Sequence, residues 1–124
     1  MEYRRLRHFP REIRLINIIP NDDPSYPIEC QLEHASLRAP GAYVALSYCW
    51  GNEENITHIA ISGSRFPVTR NLAHALQLLR LEGNHRVWVD AICINQADLD
   101  ERAQQVSCMR AIYQHATKTV SWIG

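Results

Sequence analysis

Two short stretches concentrate the residues that can do chemistry. Ser47, Tyr48, Trp50 and Gly51 stand in S-Y-C-W-G, and Asp90, Asn95 and Gln96 stand in D-A-I-C-I-N-Q. Aromatic rings stack on planar ligands, side-chain amides donate and accept hydrogen bonds, and a carboxylate accepts from hydroxyls or offsets positive charge. These types together suit a polar, ring-containing ligand. Asp90 interrupts VWVDAICI, residues 87–94, an otherwise apolar run that reads as a strand buried on both faces. Burying an unpartnered carboxylate costs roughly several kcal/mol. Asp90 therefore either serves a ligand edge or accepts hydrogen bonds from the backbone of the loop beside it. Trp50 and Trp88 have a plain alternative as core rings, and Gly51 as a turn residue.

A second acidic group lies at a helix start. In A-D-L-D-E-R, Asp98 and Glu101 have the spacing of a capping box, which accounts for Glu101 without catalysis. A carboxylate there can also orient a ribose hydroxyl or stabilise developing positive charge, and Arg102 beside it can reach an anionic group. Other catalytic signatures are missing from the sequence: there is no G-x-S-x-G, no phosphate-binding loop and no G-x-G-x-x-G. Cys93 lies within the apolar run, a poor setting for a reactive thiolate.

The elements that must position these groups follow from patterning. IRLINII, 13–19, reads as a strand stopped by Pro20, and 28–37 alternates like a half-exposed strand that can pair with it as an antiparallel hairpin. YVALSYC, 43–49, is a further strand. Residues 58–62 and 65–69 flank Gly63-Ser64 as a second hairpin. Residues 70–82 form a helix with Leu72, Ala75, Leu76 and Leu79 on one face, Thr69 or Asn71 as cap and Gly83 at the stop. After the 87–94 run comes a helix over 99–116, with an apolar stripe of Leu99, Val106, Met109, Ile112, Tyr113 and Ala116. A strand over 118–124 follows. Strand, helix, strand, helix, strand from Tyr43 onward predicts an α/β domain with a largely parallel core sheet and hairpins added to it. In such sheets ligands bind beyond the carboxyl ends of the strands, which is where both motifs fall. A three-stranded parallel core is small. The sheet is therefore expected to continue past Gly124, making this an incomplete domain, or to hide an edge by association.

Composition excludes several classes. Thirteen basic and thirteen acidic residues cancel, which gives no electrostatic reason to bind nucleic acid. No apolar run approaches the ~20 residues that span a bilayer. Four cysteines without a C-x-x-C pair and six scattered histidines predict neither a metal site nor a disulfide framework, but free buried thiols in a reducing, cytoplasmic setting. Residues 1–12 form a basic N-terminal arm, either mobile or docked on a partner, and 13–124 the domain.

At these residues the chain resembles the fungal heterokaryon-incompatibility (HET) domain. IECQLEHASL, YVALSYCWG, NLAHALQLLR, VWVDAICINQADLDERAQQVSCMRAIYQHA and TVSWIG follow that family's order and spacing from about Ile13 to Gly124. The resemblance implies a module of non-self recognition whose activation triggers programmed cell death, usually at the N-terminal end of a larger protein. It further implies remote similarity to Toll/interleukin-1 receptor (TIR) domains, which are flavodoxin-like, self-associate and in some cases cleave NAD+. By that likeness YVALSY is the first TIR-like strand and the segment from Val87 onward supplies the second strand, its helix and the third. NAD+ would be a substrate, with no resident cofactor. Asp90 and Glu101 would be the acidic catalytic candidates, and Ser47, Tyr48, Trp50, Gly51, Asn95, Gln96 and Arg102 the binding ones. Expected partners are further copies of the chain or other HET or NLR-type proteins. The acidic residue of NAD+-cleaving TIR domains lies on the helix after the third core strand, a position beyond Gly124.

Overall fold

A computed structural model describes residues 2–7, 11–48 and 55–122. Its elements are β1 (Glu12–Ile18), β2 (Glu29–Ser36), β3 (Val44–Tyr48), β4 (Ile56–Ile61), β5 (Ser64–Thr69), α1 (Arg70–Leu81), β6 (Arg86–Trp88), α2 (Asp90–Cys93), α3 (Leu99–His115) and β7 (Lys118–Trp122). The strands make one seven-stranded sheet in the order β5-β4-β2-β1-β6-β3-β7. This is an α/β architecture, and none of the described helices is long and apolar enough to cross a membrane.

The hairpins form where alternation predicts them. β1 and β2 pair antiparallel from Glu12↔Ser36 to Ile18↔Cys30. β4 and β5 pair from Ile56↔Thr69 to Ile61↔Ser64. The second turn sits one residue earlier than the Gly63-Ser64 reading. Ser62 (φ 51°) and Gly63 (φ 83°) both take positive φ, as a two-residue hairpin turn matched to strand twist requires.

The sheet is mixed, which corrects the expectation of a largely parallel core. β3 runs parallel to both β6 and β7, and β2 parallel to β4. β1 joins β6 antiparallel through Ile16↔Val87 and Asn17↔Arg86. The hairpins thus extend the same sheet instead of decorating it. Hydrophobic patterning shows that a strand is buried but carries no information about its neighbour's direction.

The run 87–94 also differs from its reading as one strand. β6 ends at Trp88, Val89 is the last extended residue (φ −143°, ψ 132°), and Asp90 opens the one-turn helix α2. Trp88, Val89, Ile92 and Cys93 are all fully buried, and periodicity alone does not separate a buried strand from a buried helical turn.

α1 follows its pattern. Leu72, Ala75, Leu76 and Leu79 are buried, and Thr69 Oγ1 accepts from the Leu72 N–H at 3.1 Å. Gly83 (φ +83°) follows the helix. Arg80, buried on the same helix, donates to the carbonyls of Asp23, Tyr26 and Pro27 and ties α1 to the 21–27 connection.

α3 is rotated from the predicted stripe. Its buried residues are Glu101, Gln105, Cys108 and Ile112, while Leu99 is 71% and Val106 55% exposed. Met109, Tyr113 and Ala116 pack on the core while partly exposed. The inward polar groups have partners: Glu101 meets Arg14, and Gln105 Nε2 donates to the Glu12 carbonyl at 3.3 Å. Such partners let polar side chains occupy an inner face that composition assigns to Leu99 and Val106.

Candidate functional site

The three parallel strands β6, β3 and β7 share a carboxyl edge, set by the registers Ala45↔Trp88 and Ser47↔Ser121. Ser47 is near the end of β3, and Asp90 lies two residues past the end of β6. Tyr113 of α3 joins them there. Burial pushes its phenol pKa up, with the Asp90 charge adding to the rise and the Ser47 side chain opposing it. The Tyr113 ring meets Trp88 edge-to-face, with centroids 5.6 Å apart.

Asp90, Ile94, Gln96, Arg102, Val106 and Met109 line a cleft of about 500 Å³. Gln96 folds back over α2, its Nε2 donating to the Asp90 carbonyl at 2.9 Å and more weakly to that of Ile94 at 3.4 Å. The lining combines a carboxylate, an amide and a guanidinium with an apolar side made by Ile94, Val106 and Met109. Chemically, this set can receive a ligand with hydroxyl groups, an anionic group and an apolar or ring-like part.

Glu101 lies elsewhere. Its carboxylate forms a bidentate pair with the buried Arg14 guanidinium, Nη2 to Oε1 at 2.6 Å and Nη1 to Oε2 at 2.7 Å. Oε2 also accepts from the Asn95 N–H at 2.6 Å. Half of the capping box forms: Asp98 Oδ1 accepts from the Glu101 N–H at 3.1 Å, whereas the Asp98 N–H donates to the Asn95 carbonyl. Glu101 borders a separate cleft of about 370 Å³ beside Arg5, Arg7 and Arg11 of the N-terminal segment.

The structure therefore brings Asp90, Gln96 and Arg102 to one cleft with Ser47 nearby, and it does not bring Glu101 into it. Asn95 stands behind the cleft, its Oδ1 accepting from the Ala97 N–H at 3.2 Å. The Tyr48 backbone pairs with Trp122; its side chain, Trp50 and Gly51 lie outside the described residues. Burial pushes the Cys93 thiol to about 12, so it carries no thiolate at neutral pH. Among the described residues no group of three or more His, Cys, Asp and Glu side chains is placed to hold a metal ion.

Three residues of this region escaped sequence reading. Arg14 interrupts IRLINII as Asp90 interrupts VWVDAICI, so the same question about a buried charge would have found it. Tyr113 is hidden by its apolar ring. Tyr3 lies in a basic segment without periodicity, and no sequence signal marks it.

The model for the family "Heterokaryon incompatibility protein (HET)" matches residues 43–124. "Heterokaryon incompatibility protein 6, OR allele" of Neurospora crassa is 34% identical over 127 residues, covering 90% of this chain and 18% of that protein. The chain thus spans less than a fifth of its relative's length. No solved structure matches.

Proposed function

The chain belongs to the heterokaryon incompatibility (HET) family, and on that premise we propose that it is a module of fungal non-self recognition that triggers programmed cell death, with the cleft beyond β3 and β6 binding and cleaving NAD+. The carrying observation is that Asp90, Gln96 and Arg102 line a single cleft beside the carboxyl edge of parallel strands. Arg102 suits the pyrophosphate and Gln96 the ribose or amide groups. When the nicotinamide–ribose bond breaks, its electron pair leaves with nicotinamide and the ribosyl group becomes cationic. Asp90 is the acidic group of the cleft suited to stabilise that charge until water adds and loses a proton. The TIR-like, flavodoxin-like reading rests on β6-β3-β7 with α3, and the antiparallel β1 beside β6 departs from a purely parallel core. A cytoplasmic location fits the free, buried Cys30, Cys93 and Cys108. The test is nicotinamide release by the concentrated full chain. Release by the wild type and its loss in folded Asp90→Asn support the reading; no wild-type release, assembled or not, overturns it.

A non-catalytic death-signalling module that associates with itself or with other HET or NLR-type proteins is the second reading. The exposure of Leu99 and Val106 on α3 and the commitment of Glu101 to Arg14 favour it. Sedimentation would then show assemblies that Leu99→Lys and Val106→Lys dissolve, with cell killing lost in parallel.

A further inference from the structure

The wall of the cleft is held from behind by groups that do not line it. α2 is a single turn, Asp90–Cys93, so its last carbonyls lack partners further along a helix. Two are capped from distant parts of the chain. The Ile92 carbonyl accepts from the Tyr3 hydroxyl at 2.7 Å, and the Cys93 carbonyl accepts from Arg14 Nη1 at 3.2 Å. The Asn95 N–H is then taken by Glu101. Arg14 is in turn held by the N-terminal segment: its Nη2 donates to the Arg4 carbonyl at 2.8 Å, and its guanidinium lies over the Tyr3 ring, 4.7 Å from the centroid. Leu6 is buried, and Arg7 and Glu12 exchange hydrogen bonds that close the segment onto the start of β1.

We infer that residues 2–7 are a strap that orders the Asp90–Gln96 wall of the cleft, acting through Tyr3 and Arg14 as positioning residues that touch no ligand. The importance of that wall for a ligand rests on the function proposed above; its dependence on the strap does not. Tyr3 and Arg14 engage consecutive carbonyls at the end of α2, the helix that Asp90 opens. The strap is a short segment held by few side chains, the kind of element that opens at lower free energy than a central sheet. When it lifts, Ile92 loses its cap and Arg14 loses the Arg4 carbonyl and the Tyr3 ring. The order of the cleft wall is thereby coupled to the state of the N-terminus.

The test is Tyr3→Phe in the full chain, which removes one hydroxyl and keeps the ring over Arg14. Residue-resolved amide hydrogen exchange reads the result. The amides of Cys93–Gln96 should exchange about three- to tenfold faster, the range that losing one hydrogen bond gives, while those of β4 and β5 stay unchanged. Deleting residues 1–5 should enlarge the effect at the same amides. Unchanged exchange at 93–96 in both variants, or an equal rise across the whole sheet, overturns the strap. NAD+ titration separates the strap from the functional reading. Local loosening in Tyr3→Phe with no NAD+ binding by the wild type sinks the ligand and leaves the strap. NAD+ binding that depends on Asp90, yet survives both Tyr3→Phe and the deletion with exchange at 93–96 unaltered in each, sinks the strap and leaves the ligand.

Discussion

Replacing Glu101 by Ala should destabilise the fold strongly before it tests any chemistry. The Glu101 side chain is 9% exposed and that of Arg14 1%. Truncation removes both Arg14–Glu101 hydrogen bonds and the acceptor of the Asn95 N–H. Arg14 is then a buried cation left with the Cys93 and Arg4 carbonyls and the Tyr3 ring among the described residues. Breaking a buried pair from one side costs about 3–5 kcal/mol, because the remaining charge stays desolvated. That is about a fifth or more of the 5–15 kcal/mol by which a domain is stable. With a urea dependence of about 1–3 kcal/mol per molar, the midpoint should fall by about 2 M at unchanged slope. Glu101→Gln keeps an acceptor for Asn95 and should lie between wild type and Glu101→Ala. The double variant Arg14→Met with Glu101→Leu removes both charges and should be more stable than Glu101→Ala alone. A loss below about 1 kcal/mol in Glu101→Ala, or strictly additive single variants, would refute the reasoning. If it holds, Glu101→Ala reports on stability and not on the proposed chemistry, and Asp90→Asn is the informative substitution.

Gly41 has φ +75°, and an added Cβ would sit 2.7 Å from Arg86 Nη1, which holds the Ala42 carbonyl while the rest of the guanidinium pairs with Glu33. Gly41→Ala should cost about 1–3 kcal/mol in thermal unfolding; a neutral result would mean that Arg86 moves freely. Thr69→Ala should cost about 1 kcal/mol through the lost α1 cap, and a stability matching wild type would show the cap to be idle. Stability should also fall on both sides of neutrality. Burial raises Cys30, Cys93, Tyr3 and Tyr43 to about 12 from ordinary values of 9.0 for thiols and 10.0 for phenols. The folded state then keeps protons that the unfolded chain releases, so stability is full below pH 9 and declines as pH rises toward 12. On the acid side, burial lowers His34 from 6.5 and the Arg86 hydrogen bond lowers Glu33 from 4.5. Their contributions are present above those values and are lost as pH falls below them. Urea midpoints from pH 4 to 11 check both limbs; a flat alkaline limb would contradict the buried phenols and thiols.

Elements with a clear period or a clear stop signal were legible in the sequence. β2 and α1 carry a period, β1 is an apolar run stopped by Pro20, and the bounds of all three agree with the reading to within about two residues. The parallel pairing of β3 with β6 was legible from the alternation of strand and helix, and with it the meeting of Ser47 and Asp90 at one edge. Where burial is continuous, pattern fails. VWVDAICI contains both a strand and a helical turn, and its almost unbroken apolar run offers no period by which to tell them apart. α3 fails for the converse reason: Glu101 and Gln105 point inward because Arg14 and the Glu12 carbonyl are there to receive them, and those partners are about ninety residues away.

The sequence alone determined the local periods, the turn at Ser62-Gly63 to within a residue, the Thr69 cap as one of two options, and the motifs that carry the family. These depend on contacts within a few residues, or on patterns that survive without coordinates. Tertiary structure alone decided which way strands run, which charged groups are spent on each other and which face a cleft. Asp90 and Glu101 are both candidate acidic groups in the sequence, one within an apolar run and one at a helix start. They part because Arg14, a residue on a different strand, reaches one and not the other, and a pairing across such a separation exists only once the sheet has formed.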